Sequence, residues 1–198
     1  MQQIIDCLKA MPECLCGVDL RSVLTNGKVE MQLKTLMGVA WVNRQRANQR
    51  SYLMDKKLYA PLDLVAFEQG QAQFWIEAKC DFAADEPSVQ RSARDAMKQV
   101  VDYTQKLPTE LLLCPVYIVH FLCPLPDEEQ YPEWIDVFDD FAGSSEYTPE
   151  RLIGDYLMYD GDQGLIDRIQ GVTIHFEPVI YAVVVNFAGE QLRATCGI

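Results

Sequence analysis

The chain has 198 residues, 49% of them hydrophobic and 23% charged, with 17 Lys and Arg against 29 Asp and Glu for a formal net charge of −12. That length and apolar content suit one domain with a sizeable core. No charged leader precedes an apolar run, and no stretch nears the ~20 apolar residues that cross a bilayer, so a soluble, cytoplasmic chain without a membrane partner is expected. The charge is uneven: residues 21–106 carry 13 Lys and Arg against 10 Asp and Glu, a balance of +3, whereas residues 107–198 carry 3 against 16, a balance of −13. Bulk charge of this sign predicts weak non-specific affinity for nucleic acid, so such a substrate has to be held locally or by a partner. Seven cysteines lie mostly in apolar runs with no C-x-x-C pair, which reads as reduced core thiols.

In chain order, residues 2–10 read as a short helix with Ile4, Ile5 and Leu8 on one edge, ending at Met11-Pro12. After Asn26-Gly27 a longer helix is expected over 28–48, with Val29, Leu33, Leu36, Met37, Ala40 and Trp41 at helical spacing and Glu30 bordering that stripe. Arg44, Arg46, Arg50, Lys56 and Lys57 form a basic passage into a first strand near 52–59. Residues 61–79 then read as two antiparallel strands joined by a turn at Glu68-Gln69-Gly70-Gln71. Alternation along the second strand puts Trp75, Glu77 and Lys79 on one face, and Phe74, Ile76, Ala78 and Cys80 on the other.

Asp85-Glu86-Pro87-Ser88 signals the next helix, with Ser88 as cap, running to about Leu107. Val89, Ala93, Ala96, Val100, Thr104 and Leu107 form its inner face, Gln99 and Tyr103 share an edge one turn apart, and Arg91, Arg94 and Lys98 line another edge suited to phosphates. Pro108 ends this helix. Residues 111–123 form a near-continuous apolar run that reads as a buried central strand, with His120 as a core histidine. Residues 124–147 are rich in Pro, Asp and Glu and include an acidic amphipathic segment from Trp134, with Asp136, Asp139 and Asp140 toward solvent. Thr148-Pro149-Glu150 starts another helix, and strands follow near 172–176 and 179–187, with a last short strand after Ala188-Gly189-Glu190.

In the simplest hairpin register Asp63 lies opposite the end of the second strand, beside Glu77 and Lys79. Charges this close to apolar strands cost several kcal/mol unless paired or bound to a metal. A hard divalent cation, Mg²⁺ or Mn²⁺, suits two carboxylates and the Ala78 carbonyl, and a lysine beside them suits stabilisation of charge during phosphodiester hydrolysis.

Pro61-Leu62-Asp63, thirteen intervening residues, then Glu77-Ala78-Lys79 resembles the PD-(D/E)XK nuclease superfamily, and Gln99-Val-Val-Asp-Tyr103 is similar to the Q-x-x-x-Y element of its recombination-exonuclease branch. Leu62 departs from the pattern by separating the proline from the acid. The resemblance covers residues 28–122 and implies an α/β fold: a mixed central sheet flanked by helices, with a restriction endonuclease-like αβββαβ core and an acidic α+β elaboration over 123–198. It implies a Mg²⁺-dependent deoxyribonuclease. Asp63, Glu77 and the Ala78 carbonyl would hold metal, Glu30 would complete the site, Lys79 would serve the attacking water, and Gln99 and Tyr103 would place a nucleotide. The rival expectation is a regulatory or inhibitor-like module that binds a protein partner through its acidic half.

Overall fold

The computed structural model of the chain describes residues 1–15, 20–24, 29–44, 48–54, 63–104, 114–125, 129, 132, 135–141 and 147–189. The elements are α1 (Gln2–Ala10), α2 (Leu20–Leu24), α3 (Val29–Arg44), β1 (Arg50–Met54), β2 (Leu64–Glu68), β3 (Gln71–Phe82), α4 (Glu86–Thr104), β4 (Val116–Cys123), α5 (Ile135–Phe141), α6 (Pro149–Asp160), β5 (Ile166–Ile174) and β6 (Ile180–Phe187). The strands make one six-stranded sheet in the order β1-β2-β3-β4-β6-β5. β1, β2 and β3 meander antiparallel; α4 then carries the chain across so that β4 lies parallel to β3, and β6 and β5 complete the sheet antiparallel. A mixed sheet flanked by helices is therefore observed, as the sequence led us to expect. No helix among the described residues is long and apolar enough to cross a membrane.

The tight turn of the hairpin follows from its two central residues. Gln69 and Gly70 have φ of 52° and 78°, the positive pair that a two-residue turn needs to match strand twist. From there the side chains of β3 alternate between two cores. Phe74, Ile76 and Ala78 enter the one shared with α1, α2 and α3, while Trp75 enters the one shared with α4 and α6. Glu77, Lys79 and Asp81 follow Trp75 at two-residue steps and so face α4.

The helix α3 is seated by shape. A Cβ on Gly38 would lie 2.6 Å from the Tyr52 ring of β1, so only glycine admits the ring there. Trp41 stacks edge-on against Phe74 at 4.9 Å and donates from Nε1 to the Phe67 carbonyl at 3.0 Å. On the opposite sheet face α4 packs against β3, β4 and α6, with Met97 buried beside the five described residues of the expected inner face.

Several boundaries differ from expectation for physical reasons. Asp85, not Ser88, caps α4: its Oδ1 accepts from the Ser88 N–H at 3.1 Å, and the Ser88 hydroxyl turns instead to Asp81. β5 begins at Ile166, six residues before the expected strand, because an edge strand with exposed Asp167 and Arg168 carries no apolar alternation at its start. Gly171 lies inside that strand. Thr148 caps α6 as expected, accepting from the Arg151 N–H. Pro61, Leu62, Arg46, Lys56, Lys57, Leu107, Pro108, Trp134 and the expected strand after Gly189 lie outside the described residues.

Candidate active site

The hairpin register brings the first acid to the second strand. The last described β2–β3 pair is Leu64 with Ile76, so Asp63 falls level with Glu77. Its Oδ2 accepts from the Ala78 N–H at 2.8 Å. A carboxylate thus takes a backbone donor that a ladder partner would otherwise fill. Because the N–H and C=O of one residue in an extended strand point the same way, the Ala78 carbonyl faces that same edge.

On the α4 face of β3, Lys79 Nζ donates to Glu77 Oε1 at 2.7 Å. Glu77 is only 2% exposed, and its Oε2 has no hydrogen-bond partner among the described residues. An orphaned carboxylate oxygen at this depth costs free energy unless a proton or a cation meets it. Burial, and then the negative charge of Asp63, push the Glu77 carboxyl up to about 7, against the pull of Lys79. Burial alone would lower the Lys79 ammonium, but Glu77, Asp63 and Glu30 outweigh it and hold it above the usual lysine value.

A further charge enters from α3. Lys34, 5% exposed, donates from Nζ to Asp63 Oδ1 at 2.9 Å and lies 3.4 Å from Glu30 Oε1. Sequence reasoning missed it. The signal was a lysine between Leu33 and Met37 on an otherwise apolar helical stripe, four residues after Glu30. Glu30 itself reaches the cluster through this lysine, with its side chain 40% exposed.

The two edges of α4 separate the remaining candidates. Tyr103 faces the acids: burial and the charges of Glu77 and Asp63 push its phenol up, opposed by Lys79. Gln99, one turn earlier on the same edge, has its Oε1 buried without a hydrogen-bond partner among the described residues. Arg94 and Lys98 lie about 100–180° round the helix from that edge. They border a cleft of about 300 Å³ against α6, with the Arg94 guanidinium 5.5 Å from the Tyr159 ring centroid. Arg91 is exposed on the outer surface. The structure therefore gathers Asp63, Glu77, Lys79, Glu30 and Tyr103, places Gln99 one turn from Tyr103 on the same edge of α4, and leaves Arg91, Arg94 and Lys98 outside that group.

The β3 alternation continues into Asp81, a second buried polar cluster absent from the sequence reading. Asp81 Oδ2 lies 2.9 Å from His120 Nε2, whose Nδ1 lies 2.9 Å from the Tyr156 hydroxyl, while Ser88 and Ser92 donate to Asp81 Oδ1. Burial opposes ionisation of Asp81, but the bonds from His120, Ser88 and Ser92 prevail and hold its carboxyl below the usual range. His120 is fully buried and bonded at both nitrogens, so it is a satisfied core histidine, as expected.

Among the described residues no three His, Cys, Asp or Glu side chains stand together as a metal-binding group. The donor chemistry nonetheless fits a hard cation: Asp63, Glu77 with its orphaned Oε2 and the Ala78 carbonyl are all oxygen donors. In comparisons with known proteins, no family model, curated protein or solved structure matches the chain. The fold and site define a mixed α/β protein with a buried carboxylate–lysine cluster at the mouth of a β-hairpin.

Proposed function

We propose that this protein is a Mg²⁺- or Mn²⁺-dependent nuclease that hydrolyses phosphodiester bonds, most naturally in DNA. One observation carries the reading: Asp63, anchored on the Ala78 N–H, stands beside a buried Glu77 that is paired to Lys79 and keeps one oxygen unpartnered. The sequence α3-β1-β2-β3-α4-β4, with its antiparallel meander and parallel crossover strand, supports the resemblance to the restriction endonuclease-like core. Asp63, Glu77 and the Ala78 carbonyl would hold the ion, which when bound supplies Lewis acidity and a more acidic water. Lys79 stabilises negative charge that grows on the phosphoryl oxygens as water adds and the ester oxygen leaves. Gln99 and Tyr103 border the same site from α4 and can orient a nucleotide. A cytoplasmic setting goes with this reading, since the described cysteines are free thiols.

The test is incubation of linear, circular and single-stranded DNA with Mg²⁺ or Mn²⁺. Cutting by the parent and its loss in Asp63→Asn are expected; a parent that cuts none of these substrates with either ion would sink the assignment. The second reading, a protein-binding module, is favoured by one feature: Asp136, Asp139 and Asp140 are all exposed along α5. A stable basic partner with no cleavage would bring it forward.

A further inference from the structure

Lys34 is a buried charge that the proposed hydrolysis does not require. Its ammonium bridges two acids of the site, Asp63 Oδ1 at 2.9 Å and Glu30 Oε1 at 3.4 Å. A divalent ion bound to the same Asp63 oxygen at ~2.1 Å would therefore lie within about 5 Å of Nζ. Two cations at that distance repel strongly where water is excluded. The lysine also has somewhere to go. Its four-carbon stem is flexible, and Glu30, one turn earlier on α3, is partly exposed and already beside it.

We propose that Lys34 is the resident counter-ion of the candidate metal site: a divalent cation binds only by displacing it from Asp63, and Glu30 receives it. Glu30 then acts on the metal through Lys34 and not as a ligand. This rests on the metal-site reading above. It adds a competition, in which apparent metal affinity is lowered by the fraction of molecules whose Asp63 is released. A lysine that holds Asp63 in nine molecules of ten lowers it about tenfold.

The experiment measures Mn²⁺ binding by calorimetry and by electron paramagnetic resonance, without substrate, on folded parent, Lys34→Gln, Lys34→Arg and Asp63→Asn. Lys34→Gln keeps a donor for Asp63 and removes the charge, so it should bind Mn²⁺ roughly tenfold more tightly or better. Lys34→Arg keeps the charge and grips a carboxylate with two donors, so it should bind more weakly than the parent. This arm decides the matter if Lys34→Gln does not fold. Glu30→Gln should weaken binding in the parent and have no effect in the Lys34→Gln background. A Lys34→Gln protein that binds Mn²⁺ no better than the parent, or an Arg variant that binds equally, overturns the competition. The metal site still stands in that case if Asp63→Asn loses binding. Absence of site-specific Mn²⁺ binding in every variant overturns the metal reading and the competition with it.

Discussion

Glu77→Gln keeps the size of a buried side chain and removes its titration, which makes it the sharpest probe of the site's electrostatics. A carboxyl held at about 7 in the folded chain and at 4.5 when exposed binds its proton more tightly in the folded state. The stabilisation is complete below the unfolded value and is lost as pH climbs from 4.5 to about 7. At 1.36 kcal/mol per pH unit the ceiling is about 3 kcal/mol, or roughly 6–12 °C in melting temperature for a chain of this length. Melting the parent and Glu77→Gln across that window isolates this carboxyl from the surface acids, which titrate alike in both. The variant's profile should be flatter by up to that amount, whatever its absolute stability after Lys79 loses its partner. On the proposed metal reading, added Mg²⁺ should also stabilise the parent most at the alkaline end, where Glu77 is ionised. Parallel profiles for the two proteins would refute the claim that burial and Asp63 set the Glu77 proton affinity.

Other perturbations test separate links. Mg²⁺ or Mn²⁺ should raise the parent's melting temperature by mass action, and Asp63→Asn should abolish the rise; a persisting rise removes Asp63 from the ion. Lys79→Met should stay folded and bind metal but lose roughly 10²-fold in single-turnover cutting, by analogy with a removed oxyanion donor, and an unchanged rate rejects its role. Asp81→Asn should destabilise by about 1–3 kcal/mol, since it leaves donors of a buried hydrogen-bonded network unsatisfied, while leaving the metal response intact; loss of that response would move Asp81 into the site. Neutralising Asp136, Asp139 and Asp140 together should strengthen DNA binding at low salt and not at high salt, and equal binding at low salt denies α5 a repelling role.

The hairpin and both long helices were legible because their signals are local. Alternation from Phe74 to Lys79, the Gln69-Gly70 turn and the spacing from Val89 to Thr104 each depend only on nearest neighbours. From these the meeting of Asp63 and Glu77 followed through register alone. Lys34 was hidden because its partner lies 29 residues away, and a lysine on an apolar helix ordinarily signals a boundary of the stripe. The Asp81–His120–Tyr156 cluster was hidden for the same reason, with contacts spanning β3, β4 and α6. The position of Arg94 and Lys98 could not be judged from helical spacing, which orders residues around α4 without saying which edge the sheet places over the acids. β5 escaped at its start because edge position relaxes the pattern that identifies a strand.

The placement of Lys34 also bears on how an acidic cluster of this kind is compensated within the chain. Lys79 pairs with Glu77, and Lys34 is shared by Glu30 and Asp63. Glu77 is the most buried of the three acids, and its proton affinity rises first through that burial and then through the charge of Asp63. With Lys34 absent, Asp63 would keep only the Ala78 N–H as the described bond to a partly buried carboxylate, and its repulsion of Glu77 would grow. A fold that depended on metal to relieve this would be unfolded without it, as small metal-nucleated domains are. Here two lysines supply the compensation from within the chain. Stability of the metal-free fold and affinity for the proposed ion are therefore opposed at one side chain: each increment by which Lys34 secures Asp63 is an increment that an incoming cation has to overcome.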